Sequence, residues 1–288
     1  MRYIKMEEKM SGKLYLCATP IGNLEDVTLR VLRILKEADV VAAEDTRQTI
    51  KLLNHYDIKT PLVSYHEHNK MTKTDVLVKQ MLEGKTIAQV SDAGTPGISD
   101  PGEELGRAAY EAGIEVTSLP GATAVITAVV LSGLSTRRFA FEGFLPTNKK
   151  EREAVKEDLR RATRLTVFYE APHRLRKTLE ELSQVVGGQR HISICKELTK
   201  KHETIFQTTM DEAIAFYEKQ EPRGEYVLVV DGKKLEDVAQ EEQSKWSEMS
   251  IPDHMEVYLS QGMDKKEAMK KVAKDRGVSK RDIYQSLL

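Results

Sequence analysis

The chain has 288 residues, 44 of them Lys or Arg and 45 Asp or Glu, for a formal net charge of −1, with 40% hydrophobic and 31% charged residues. That apolar content can build cores and excludes a disordered chain, while the near balance of charge argues against indiscriminate binding to polyanions. No run approaches the roughly 18 apolar residues of a membrane span, residues 1–13 lack the apolar centre of a secretory signal, and Cys17 and Cys195 are too few for a multi-cysteine metal site; a cytoplasmic protein with two reduced core thiols is expected.

Residues 14–18 (LYLCA) are a short apolar run, followed by a Pro/Gly/Asn turn and by Leu29, Val31, Leu32 and Leu35 at helical spacing, which predicts strand, loop and helix. The unit recurs as strand 40–43, helix 46–56, strand 62–65, helix 73–83, strand 86–90, helix 103–112 and strand 115–119. Runs that are apolar throughout, not alternating, predict strands covered on both faces, as in a mainly parallel sheet between helices. A small-residue helix over 122–132 completes this alternation at the border of a second one: strand 139–144, charged helix 150–162, strand 165–169, helix 174–186, strands 191–196 and 204–208, helix 210–219 and strand 226–230. Two α/β domains are therefore expected, 13–122 and 123–232. A polar, acidic linker over 233–250 and two or three short helices over 251–288 follow.

The loop after the first strand, Thr19-Pro20-Ile21-Gly22-Asn23, matches neither the glycine pattern of dinucleotide-binding folds nor a P-loop. More informative is SDAGTPGISDPG, residues 91–102, with two prolines and three glycines between a strand and a helix. It exceeds the usual connection of about 2 to 6 residues, and loops at the carboxyl ends of parallel strands are where α/β sheets bind ligands. A third turn, Leu119-Pro120-Gly121-Ala122-Thr123-Ala124, enters the small-residue helix, where close approach of a ligand and tight helix packing are both open readings.

Together with ATPIGNLEDVTLRVLRILKEADVVAAEDTR, SYHEHN, FEGFLP, YEAPHR and GEYVLVV, these segments resemble the ribosomal RNA small subunit methyltransferase I family, of the tetrapyrrole methylase superfamily, over about residues 13–232. The resemblance implies two α/β domains with S-adenosylmethionine in the cleft between them, a small helical C-terminal segment, and transfer of a methyl group to the ribose 2'-hydroxyl of a decoding-centre cytidine in 16S rRNA. It further implies a homodimer that acts on the small ribosomal subunit, not on DNA or a membrane, and that needs no metal. Carried over by position, it assigns cofactor binding to Pro20, Asp92, Ala93, Gly94, Ile98, Ser99, Thr123, Ala124, Tyr169, Glu170, Leu198, Gly224 and Glu225. The first loop departs from the glycine-rich form usual in the tetrapyrrole enzymes, which counts against a tetrapyrrole substrate. Two rivals share the cofactor cleft or the fold: a methyltransferase for a small molecule or protein residue, and a noncatalytic ribosome-assembly factor.

A ribose hydroxyl needs its proton removed as it attacks. Lys196 is the first choice as base, ahead of Glu197, Glu142, His66, His68 and His173; Glu170 and Arg174 can equally form an ion pair at a helix start. An RNA substrate requires local positive charge. Residues 137–176 hold eleven Lys/Arg against six Asp/Glu, and 262–281 hold eight against three. Arg47, Arg137, Arg138, Lys149, Lys150, Lys270, Lys271, Lys280 and Arg281 are the expected phosphate contacts. In the tail, apolar Ala268, Val272 and Ala273, a Gly277 turn, Ser279 as helix cap, then Ile283 and Leu287 predict helix-turn-helix.

Overall fold

The structure, a computed structural model, describes residues 12–288. Strands β1 (Lys13–Cys17), β2 (Val40–Ala43), β3 (Leu62–Ser64), β4 (Ile87–Val90) and β5 (Glu115–Leu119) form one sheet in the order β3-β2-β4-β1-β5, with every neighbouring pair parallel. Every residue of β2 and β4 is buried, as expected for strands covered on both sides. Helices α1 (Leu29–Glu37) and α2 (Thr46–His55) cover one face through Val31, Ile34, Leu35 and Leu53. Helices α3 (Lys70–Leu82) and α4 (Gly102–Glu111) cover the other through Leu77, Met81, Leu105 and Ala109. The helix starts are capped locally: Thr28 accepts the Val31 amide and Asp45 accepts the Arg47 amide.

The small-residue helix α5 (Ala124–Leu131) follows, and it does not complete the first sheet. Val125, Ala128 and Val129 pack on Val167, Cys195, Val227 and Val229 of the second sheet. That sheet comprises β6 (Phe139–Phe144), β7 (Leu165–Glu170), β8 (His191–Lys196), β9 (Thr204–Thr209) and β10 (Tyr226–Val230) in the order β6-β7-β10-β8-β9. Only β6 and β7 run parallel; the other three pairs are antiparallel. The loop 197–203 between β8 and β9 is too short for a crossover, so a hairpin forms there. Helices α6 (Lys149–Arg161), α7 (Leu175–Val186) and α8 (Met210–Lys219) supply Leu159, Leu179, Leu182, Met210 and Ala213 to the face opposite α5.

By contact density the chain forms two compact units, one running to Leu159 and resuming at Leu165–Asp231, the other made of Arg160–Arg164 and Gly232–Leu288. The second unit holds α9 (Leu235–Ser247), α10 (Ile251–Leu259), α11 (Lys265–Arg276) and α12 (Lys280–Ser286), around Met255, Tyr258, Ala268, Val272, Ala273 and Ile283. The stretch 233–250, expected as a linker, is thus mostly helix. Its Leu, Glu, Ala, Gln and Lys residues are good helix formers, and Glu236 and Asp237 sit in the first turn, where the helix dipole favours acids. Gly277 ends α11 in the left-handed conformation and Ser279 caps α12 with a reciprocal Asp282 contact, as the tail sequence predicts.

Leu228 is fully buried at the centre of β10, between β7 and β8. Leu228→Ala is expected to destabilise the protein by about 2–5 kcal/mol, read as a lowered midpoint of urea unfolding. A midpoint within error of the parent would contradict this packing.

Candidate active site

Adjacent strands β1 and β4 send their chains to opposite faces of the sheet, β1 to α1 and β4 to α4. The loops that follow them diverge at the carboxyl edge, the position where open α/β sheets form a ligand crevice. The two loops are tied to each other. The Thr19 amide donates to the Gly94 carbonyl at 2.9 Å and the Gly94 amide donates back at 3.0 Å, while the Thr19 hydroxyl donates to the Ser91 carbonyl. Gly94 has φ of +84°, a conformation that glycine adopts without cost. Further along, Asp100 accepts amides from Gly97, Ile98 and Gly102, folding residues 97–102 into the start of α4.

A second tie joins β4 to β2. The Asp45 amide donates to Asp92 Oδ1 at 2.8 Å. Burial and the neighbouring Asp92 and Asp100 charges raise the Glu44 carboxyl above its ordinary range. Asp45 is held down to about 2 by the Arg47 side chain and amide.

Against these loops the second sheet places residues from the ends of β6, β7 and β8 and the start of β10, leaving a cavity of about 310 Å³. Ile21, Ile98, Phe144, Leu198 and Val227 give it apolar walls; Thr95, Thr123, Tyr169 and Glu225 add polar groups. Tyr169 packs edge-on to Phe141 and Phe144 and against the cluster that holds Val125, Ala128 and Val129 of α5; burial pushes its pKa upward. Under the Leu198 side, the Glu225 amide donates to Glu197 Oε1 at 2.8 Å and Lys200 bridges both carboxylates at 3.0 and 2.7 Å. A side chain on Gly224 would collide with the Glu197 carboxyl at 2.6 Å, which explains the glycine. Burial raises the Cys195 thiol to about 11, so at neutral pH it is a protonated wall residue, not a nucleophile.

Of the expected cofactor residues, Ala93, Gly94, Ile98, Thr123, Ala124, Tyr169, Glu170, Leu198 and Glu225 line this cavity. Four do not. Pro20 precedes the lining residue Ile21, the Asp92 carboxylate is engaged by Asp45, Ser99 turns toward Gly143, and Gly224 packs on Glu197. The Glu170 carboxylate is spent within the second sheet's own packing: it accepts the Thr178 hydroxyl at 2.5 Å and the Ala171 amide, with Arg174 at 3.7 Å as the helix-start ion pair.

Lys196 is not brought to the cavity. It follows Cys195 on β8, and strand alternation puts it on the face of Ile192 and Ile194, away from the Cys195 side. Glu197, Glu142, His66, His68 and His173 also lie outside the lining. Arg137 and Arg138, expected as phosphate contacts, precede β6, whose opposite end supplies Phe144; six residues at about 3.3 Å each separate them from the cavity. Arg47 starts α2 at the carboxyl edge of the first sheet, and Lys149 and Lys150 open α6 just past the Phe144 end of β6, all three exposed. Lys270, Lys271, Lys280 and Arg281 are exposed on the C-terminal unit. Sequence reasoning missed Ile21, Thr95, Phe144, Ala171, Pro172, Cys195, Tyr226 and Val227 as lining residues. Phe144, Ala171 and Pro172 sit inside the quoted FEGFLP and YEAPHR motifs; the strand residues carry no signal until register is known.

The family model for tetrapyrrole (corrin/porphyrin) methylases matches residues 13–214. The ribosomal RNA small subunit methyltransferase I of Halalkalibacterium halodurans is 52% identical over 273 residues, covering 95% of this chain and 93% of its own length. The chain belongs to the ribosomal RNA small subunit methyltransferase I family. Within that family, the Thermotoga maritima relative is 45% identical over 223 residues, all of its length but 77% of this chain. Among solved structures, uroporphyrin-III-C-methyltransferase from Thermus thermophilus aligns with a TM-score of 0.56 at 22% identity, over 76% of this chain and 94% of that one, a likeness of fold.

Asp100→Ala releases three amides from a charged acceptor. Hydrogen exchange at Gly97, Ile98 and Gly102 is expected to quicken at least about tenfold, with β4 amides unchanged. Equal protection in the variant would remove Asp100 as the organiser of this loop.

Proposed function

We propose that the chain transfers the methyl group of S-adenosylmethionine to the ribose 2'-hydroxyl of a decoding-centre cytidine in 16S rRNA, acting on the small ribosomal subunit in the cytoplasm as a homodimer. The observation that carries this reading is a cavity at the carboxyl-edge crevice, lined by the segments that mark the family, in a chain that belongs to it. Apolar walls with a few fixed polar groups suit a ligand with an adenine face, a ribose and a zwitterionic end. Ile21, Ile98, Leu198 and Val227 would enclose the apolar parts, while Thr95, Thr123 and the backbone around Gly94 offer hydrogen bonds. Bound there, S-adenosylmethionine supplies an electrophilic methyl group. Exposed Ile126 and Val130, one turn apart on α5, support the dimer as an apolar face.

The protein's part is alignment and proton removal. In place of Lys196 we assign the proton to Glu44. It directly follows β2 and, without itself lining the cavity, adjoins Asp45, whose amide is tied to Asp92 beside the lining residue Ala93; burial and the Asp92 and Asp100 charges raise its carboxyl, which makes it a better base than an ordinary carboxylate. Arg47, Lys149 and Lys150, around the same edge, are suited to phosphate contacts.

Incubation with labelled S-adenosylmethionine and small subunits from cells that lack this gene is expected to label the 16S rRNA on one cytidine ribose. Cofactor binding without label in rRNA would remove the reading. Ala124→Trp, which fills the cavity, is expected to weaken S-adenosylhomocysteine binding at least about tenfold in calorimetry. Glu44→Gln is expected to leave that affinity unchanged and lower kcat about 100-fold or more. It also removes the rise of rate with pH through the elevated Glu44 pKa, since the base works only when ionised. A kcat equal to the parent's would exclude Glu44.

A further inference from the structure

Among the described residues none beyond Val227 lines the cavity, and the Thermotoga relative, matched over all of its length by 223 residues, is about as long as the two-sheet part of this chain. The helices of 251–288 therefore serve something other than building the cleft. Their formal charge, eight Lys/Arg against six Asp/Glu, hides a strong asymmetry in how the charges are used. Four carboxylates are fixed by hydrogen bonds within the unit. Asp253 accepts the Ser250 hydroxyl, Asp264 caps α11 through the Glu267 amide, Asp282 closes the capping box of α12, and Asp275 accepts the Tyr258 hydroxyl beside the buried His254.

Among the cations only Arg276 is used this way, donating to His254 Nδ1 and to the Met249 carbonyl. Lys265, Lys266, Lys270, Lys271, Lys274, Lys280 and Arg281 are all exposed, and none makes a hydrogen bond or ion pair among the described residues. Helical spacing gathers Lys266, Lys270 and Lys274, four residues apart, with Lys271, on the side of α11 away from Ala268 and Val272. Glu267 is the one carboxylate on that side. Past the Gly277 turn, α12 adds Lys280 and Arg281, and one turn on Tyr284 stands 55% exposed.

We propose that this cationic face of α11 and α12 docks the C-terminal unit on the phosphate backbone of the rRNA substrate, with Tyr284 stacking on an unpaired base. This rests on the rRNA reading above and adds a binding surface distinct from the cavity. Uncompensated lysines and arginine beside an exposed aromatic ring are the combination that tracks a phosphate backbone and meets bases that are splayed out. The face owes its sign to placement: capping fixes Asp264 and Asp282 at the helix starts, while Lys266, Lys270, Lys271 and Lys274 run along α11 without an ion-pair partner among the described residues.

The test uses the full-length protein with Lys270→Gln, Lys274→Gln, Lys280→Gln and Arg281→Gln combined, and Tyr284→Ala separately. Binding to protein-free 16S rRNA and to small subunits is followed by filter retention across salt concentrations, without cofactor. The quadruple variant is expected to lose at least about tenfold in affinity for both. The slope of log affinity against log salt should become shallower by about 3, four phosphate contacts at about 0.7–0.9 each. Tyr284→Ala is expected to lose about fivefold or more, and S-adenosylhomocysteine affinity is expected to hold in both variants. Unchanged affinity and salt slope in the quadruple variant overturn the proposal. So does a loss confined to intact subunits with free rRNA bound as before, which would assign the face to an acidic ribosomal protein. Failure of the parent to methylate rRNA would sink the functional reading while these binding curves still judge the docking face.

Discussion

Two neighbouring parallel strands that leave the sheet in opposite directions set the terms for the rest of this molecule. Because β1 and β4 lie side by side yet feed helices on opposite faces, their following loops must part, and the gap cannot be filled by either chain. The paired Thr19 and Gly94 amides keep the two loops from drifting while leaving the gap open. Asp100 and the Asp45–Asp92 contact extend the same restraint outward, so the loop backbone is held by hydrogen bonds and not by a packed core.

The second sheet completes the cleft by another route. Its strands are mostly antiparallel, and what it presents to the cleft comes from the ends of β6, β7 and β8 and the start of β10. Tyr169 packs in one cluster with α5, a helix that belongs to the second sheet by packing although its sequence position follows the last strand of the first.

Much of this was legible from residue order. Apolar runs without alternation marked β2 and β4, and the glycine- and proline-rich segment 91–102 marked the loop that shapes the cavity. Motif positions in that loop and at Thr123, Ala124 and Tyr169 do converge on one cavity. What failed to show was anything that depends on facing. Lys196 and Cys195 are adjacent in sequence and on opposite sides of β8, and only the register with β10 tells which side meets the cleft. Asp92, assigned to the cofactor by its motif position, accepts the Asp45 amide and so ties two loops together. Residues 235–247 were misread because a solvated polar segment and a helix of good formers share a composition.

The place of β10 carries a consequence for the order in which the polypeptide can acquire its structure. β7 and β8 never touch as strands; each is paired to β10, the last strand of the chain, which inserts between them. During synthesis the first sheet has all its strands by Leu119, but the second stays in two pieces, β6 with β7 and β8 with β9, until Tyr226–Val230 emerges. Domains fold as units in the order in which they are made, and long-range strand pairing is slow. The apolar edges of β7 and β8 therefore stay uncovered longest, and the cleft, which needs the start of β10 for one wall, is among the last features of the chain to exist.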